Sequence, residues 1–240
     1  MNTALKIALG ISLLGICGLL AFYIAIFAWL RNTFRGDFAD LERQASANEV
    51  ELPFLGPDPW RPAEKLEGRA GRYVMEKYGF RIDLPNPPKT DRFRYSREDA
   101  RSLVATFGYV SSNPEDDYML YGLQVKDPEE RTVEAAAGWF EMMYGEDGAY
   151  TNVRLRRRDT QWGGLPAIRI SGSFLYFGDQ WFVDGMVTIH EDLHIATVVQ
   201  DDERAAGRKR MDEIAQSTLF KDPKAPWPKA KEARGSGSRP

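Results

Sequence analysis

Four segments rich in β-branched and aromatic residues follow one another almost without a gap: NVRLRRRDTQW, LPAIRISGSFLYF, QWFVDGMVTI and HIATVVQ. The separators GG, GD and ED leave room only for tight turns. Neighbouring segments must therefore run antiparallel, because a parallel crossover needs a dozen or more residues. Upstream, YGFRIDLP alternates Phe80, Ile82 and Leu84 and stops at a proline, and ARSLVATFGYVSS and DYMLYGLQVKD flank the turn NPED. Two stretches leave the period of two. DPEERTVEAAAGWFEMMYG places Val133, Ala137, Phe140 and Tyr144 at helical intervals, with acids in the first turn and Gly145 after the last. DDERAAGRKRMDEIAQSTLF turns Met211, Ile214, Ala215 and Leu219 to one side, with Asp201 or Asp202 expected as N-cap. Helices segregated on a meander predict an α+β fold, an antiparallel β-sheet flanked by helices.

From Gly79 to Leu219 the chain resembles the PsbP-like superfamily. That group includes the extrinsic photosystem II subunit, Mog-type Ran-binding proteins and envelope DcrB-like proteins. The resemblance is carried by YGFRIDLP, by TVEAAAGWF, and by WGGLPAIRISGSFLYFGDQWFVDGMVTIHEDLHIATVVQ running into MDEIAQSTLF. The family pattern has a Gly-x-x-Ala-like strand start, a long hairpin, a further strand and a closing helix that ends near a serine. Gly164, Ala167 and Ser217 stand in those places. The resemblance implies an α-β-α sandwich with a non-enzymatic binding or assembly role.

The N-terminal third departs from the soluble members. Ile7 to Leu30 is a run of 24 residues without a charge. As a helix it would be about 36 Å long, enough to cross a bilayer. Its length exceeds a signal peptide's apolar region, so a retained transmembrane helix is expected, with the lipid bilayer as partner. Phe22, Tyr23, Phe27 and Trp29 thicken toward its far end, as an interfacial belt would. Ile16 stands where a lipoprotein site needs a small residue, so the one cysteine, Cys17, reads as a thiol within the anchor. Lys6 before the span faces Arg31 and Arg35 after it, a near tie for orientation. The short N-terminus and the envelope habit of the family favour an extracytoplasmic domain.

The expected organisation is an anchor over 1–30, a stalk over 31–70, the PsbP-like domain over 71–220 and a disordered basic tail over 221–240. LPFLGPDPWRP holds four prolines in eleven residues, a spacer composition. A short helix is expected through PAEKLEGRAGRYVMEKYG. The tail KDPKAPWPKAKEARGSGSRP sets six Lys/Arg against two Asp/Glu. The net charge of −3 argues against nucleic acid as a partner.

The only two histidines fall in HEDLH, His190-Glu191-Asp192-Leu193-His194, which spells the zinc-peptidase signature. A membrane-bound zinc metallopeptidase would need this segment as a helix, so that both imidazoles reach one ion while Glu191 activates water; Glu213 is a conceivable third ligand. Seven of the thirteen residues from Val187 to Val199 are Val, Ile or Thr, which favours a hairpin. A three-residue loop over 191–193 would pair His190 with His194 across the strands and offer an adventitious metal site. A two-residue loop would put them on opposite faces. The first register collects the aliphatics more cleanly, and the expected reading is surface histidines flanking an acidic turn, with no metal bound.

Arg154, Arg156 and Arg158 alternate along one strand face, as contact with an anionic lipid or acidic partner would require; a solvated face or a charged edge strand resisting aggregation is the preferred explanation. Trp181 belongs to an aromatic-rich hairpin and is a further partner-binding candidate. The acidic clusters lack the spacing of a calcium loop. There is no P-loop and no glycine-rich dinucleotide turn, so no cofactor and no catalytic residue is expected. The sequence thus reads as a single-pass, membrane-anchored, non-catalytic binding or assembly module of a membrane or envelope complex, with a membrane-protein partner. A metallopeptidase and a passive structural subunit are the alternatives.

Overall fold

The computed structural model describes residues 49–113, 117–145, 150–222, 224–225 and 227. The expected anchor over 7–30 and most of the basic tail lie outside these residues. Among those described, no helix is long and apolar enough to cross a membrane. From Val50 onward they belong to one compact unit.

Twelve strands are described: Glu49–Glu51 (β1), Gly71–Met75 (β2), Phe80–Leu84 (β3), Pro88–Thr90 (β4), Arg94–Ser96 (β5), Leu103–Ser111 (β6), Tyr118–Val125 (β7), Tyr150–Trp162 (β8), Leu165–Tyr176 (β9), Asp179–His190 (β10), Leu193–Asp201 (β11) and Leu219–Phe220 (β12). Three α-helices accompany them: Asp99–Ser102 (α1), Val133–Met142 (α2) and Arg204–Ser217 (α3). The main sheet has seven strands in the order β4-β6-β7-β11-β10-β9-β8, antiparallel throughout. A smaller sheet runs β12-β3-β2, and β1 pairs with β5. The α+β architecture and the four-strand meander are as expected, although strand outweighs helix.

The main sheet is buried on both faces at its centre. Leu193, Ile195 and Val199 of β11 join Met186 of β10 in a core with Trp60, Tyr73, Phe80 and Met211. The intervening Ala196 and Val198 join Val183 and Val187 in a second core with Phe140 of α2. So α3 and the small sheet cover one face, and α2 the other. This double burial is why β10 and β11 read as near-continuous apolar runs rather than alternating ones.

Helix α2 starts where Thr132 accepts a hydrogen bond from the Ala135 N–H at 3.1 Å, an N-cap bond. Its expected inward residues Ala137, Phe140 and Tyr144 are buried. At the head of α3, by contrast, Glu203 is the N-cap residue and makes no side-chain cap bond. The expected Asp201 instead accepts from the Glu203 N–H at 2.7 Å.

Three further expectations need correction. The proline-rich part of the stalk is not a spacer. The Leu55 N–H donates to the Thr106 carbonyl and the Thr106 N–H to the Pro53 carbonyl, Trp60 is 5% exposed, and its indole N–H donates to the Val74 carbonyl. Tyr109 donates its hydroxyl proton to the Pro57 carbonyl at 2.7 Å. Burial of large aromatics overrides the extended preference of prolines. The helix expected after it is instead the bend into β2 and a 3-10 turn at Glu76–Tyr78. Finally, Trp227 of the expected tail is docked, donating to the Glu76 carboxylate with Arg81 and Lys221 over its ring.

Candidate anion-binding groove

Strand β8 is the last in the sheet and pairs only with β9. Its alternation sends Val153 and Leu155 to the core beneath α2. Arg157, of the same parity, grips Glu141 of α2 through two bonds of 2.7 and 2.5 Å. The opposite parity therefore turns Arg154, Arg156 and Arg158 to the other face, where all three are exposed. Near Arg154 the two backbones come very close. A Cβ on Gly172 would lie 2.0 Å from the Arg154 carbonyl oxygen, so glycine is required there.

On that face α3 packs against β10 and β11, and a groove of about 420 Å³ remains over β8 and β9. Arg154, Arg156 and Arg158 form one wall and Arg204 and Arg208 the other, with Ser171 and Ser173 of β9 and Phe182 of β10 between them. A sixth arginine, Arg169, is neutralised in place. Its Nε and Nη2 donate to the two oxygens of Asp184 at 2.7 and 2.6 Å, and its Nη1 donates to Asp212 at 2.6 Å. The Asp184 bonds, opposed by burial and aided by Asp212, hold the Arg169 guanidinium above its ordinary range. Asp184 is 8% exposed, so this pair is a fixed part of the floor.

Among the described residues none of Arg154, Arg156, Arg158, Arg204 and Arg208 has an acidic partner. Arg204 stacks on the Phe182 ring at 4.9 Å. It also opens α3, where the helix dipole disfavours a cation by about 0.3–1 kcal/mol. Six arginines and one aspartate line a concave surface with two serine hydroxyls. Chemically this is a set of forked, permanently charged donors, a lining suited to an anion.

The other candidates lie elsewhere. HEDLH spans β10, a turn and β11, with Ile189 opposite His194 and His190 opposite Leu193. The loop is thus two residues, Glu191 and Asp192, and the expected cross-strand histidine pair does not form. The three-residue register assumed that aliphatics gather on one face. With both faces buried, Leu193 and Ile195 fill one core while Ala196 fills the other. Gln124 also ties the turn to β7, donating to Asp192 at 2.6 Å.

His194 is not at the surface as expected: it is 1% exposed and its Nε2–H donates to the Glu130 carbonyl at 2.8 Å. His190 lies against the Phe220 ring, 5.3 Å between centroids. Among the described residues no three His, Cys, Asp or Glu side chains gather as a metal site. Trp181 has the opposite parity to Phe182 and packs on the α2 side, so it does not join the arginine row.

Sequence reasoning found one wall of the groove by its alternation. It missed Arg204, Arg208, Ser171 and Ser173. The i, i+4 spacing of the two helical arginines and the S-G-S alternation after Arg169 were the available signals.

No protein-family model matches the chain, and no curated protein does. Among solved structures it is similar to cyanobacterial PsbP from Synechocystis sp. PCC 6803, at 12% identity over 62% of this chain and 91% of that one, with a TM-score of 0.44. It is also similar to LpqN, a protein involved in cell envelope biogenesis of Mycobacterium tuberculosis, at 18% identity over 60% of this chain and 84% of that one, with a TM-score of 0.34. At these scores neither carries an argument about function, which rests on this chain's own residues.

Proposed function

We propose that this chain is a single-pass, membrane-anchored, non-catalytic binding or assembly module of a membrane or envelope complex. In this reading a PsbP-like domain is held outside the cytoplasm, and the arginine groove is its recognition surface. The observation that carries it is the convergence on one concavity of five arginines from β8 and α3 that have no acidic partner among the described residues. Edge protection accounts for the β8 row alone; it gives no reason for Arg204 and Arg208 to face that row. The uncharged run over 7–30 supports the anchor.

The test is affinity purification from gently solubilised native membranes, comparing the wild type with a triple Arg154→Gln, Arg156→Gln, Arg158→Gln variant. A partner recovered with the wild type and lost with the variant is expected. Retention of every partner by the variant would leave the groove idle and favour a passive structural subunit. Carbonate extraction should keep the full-length chain in the membrane pellet, and protease added to intact spheroplasts should remove the domain.

A further inference from the structure

We infer that the groove is a receptor for a phosphate group, carried either by a lipid headgroup or by a small soluble phosphate ester. The inference rests on the reading of the groove as an anion-recognition surface and names the anion. A carboxylate offers two oxygens in one plane, and a single guanidinium fork can engage both at once. Here forks approach from two walls, Arg154, Arg156 and Arg158 on a strand and Arg204 and Arg208 on a helix. Between those walls lie β9 and the edge of β10, on the order of 10 Å at the usual strand spacing. An acceptor reached from both sides needs oxygens pointing in several directions, as a tetrahedral phosphate has.

The charge agrees. Among the lining residues Arg169 is already matched by Asp184, and five cations remain. A phosphate carries one negative charge as a diester and up to two as a monoester near neutral pH, shared over non-bridging oxygens that several guanidinium forks can reach at once. Ser171 and Ser173 add hydroxyl donors on the floor. The groove's 420 Å³ accommodates a phosphate together with the glycerol or sugar it esterifies.

The test is calorimetric titration of the full-length chain in non-ionic detergent at constant ionic strength. The titrants are inorganic phosphate, glycerol 3-phosphate, dihexanoyl phosphatidylglycerol, acetate and a short polyglutamate peptide. At least one phosphate-bearing titrant should bind about tenfold or more tightly than acetate and polyglutamate. Arg156→Gln and Arg208→Gln, on opposite walls, should each weaken it about tenfold. Arg157→Gln, which removes a cation from the other face, should leave it unchanged. Binding of inorganic phosphate and glycerol phosphate as tightly as the lipid identifies a soluble ester. Binding of the phosphatidylglycerol alone identifies a headgroup. Acetate or polyglutamate binding as tightly, with the same dependence on Arg156 and Arg208, would overturn the phosphate inference and leave the anionic groove standing. If nothing binds, or if Arg157→Gln weakens binding equally, both fall.

Discussion

His194 uses one ring nitrogen and, among the described residues, leaves the other without a hydrogen-bond partner. A carbonyl only accepts, so the bond to Glu130 fixes the proton on Nε2, and the unprotonated Nδ1 is buried without a partner. Burial, only partly opposed by the Glu130 bond, pushes the imidazole below its ordinary value of 6.5. A depressed folded value means that the unfolded chain takes up the proton first. The contribution of the neutral ring is therefore fully present above about pH 6.5. It is lost as the pH falls from there through the folded value. Urea denaturation between pH 8 and 5 should show stability declining below about 6.5, and His194→Gln should flatten that part of the curve. Arg169 poses the converse case, a charge kept because it is matched. Arg169→Met strands the buried Asp184 carboxylate and should cost about 3–5 kcal/mol. Adding Asp184→Asn should recover part of that loss, so the two effects will not sum in a double-mutant cycle.

The β10–β11 hairpin shows what alternation can and cannot say about an element. Its existence was legible, because β-branched residues crowd both sides of an acidic pair. Its register was not, because hydrophobicity carries no parity when each face meets its own core. The turn bears the mark of the tighter register: Glu191 has φ 58, left-handed for a residue with a Cβ. Two-residue loops with a positive φ at their first position favour glycine there. Glu191→Gly should therefore raise stability by about 0.5–1 kcal/mol, measured by thermal or urea denaturation. Had HEDLH been a helix, the same change would cost about 1 kcal/mol. The groove divides in a similar way. The β8 wall follows from alternation within one strand, whereas the α3 wall depends on where a helix some fifty residues later settles, which no local pattern encodes.

At the scale of the molecule, the segment before β2 is part of the folded unit. An aromatic between prolines, Trp60 after Pro59, was the clue that this stretch is pinned, and composition alone concealed it. Trp60→Ala should destabilise residues 50–240 by about 3–5 kcal/mol, read by urea denaturation. If the segment were a free spacer, the change would fall within about 0.5 kcal/mol. The sheet order has a consequence for biosynthesis. β11 sits fourth of the seven strands, yet Val125 at the end of β7 and Leu193 at the start of β11 are separated by 67 intervening residues. The ribosome thus delivers both flanks of the sheet before its middle. Until β11 emerges, β7 and β10 each present an open, largely apolar edge to other nascent chains. A chain stopped at residue 190 should collect in the insoluble fraction and engage holding chaperones. One that runs on through β12 to Trp227 should not.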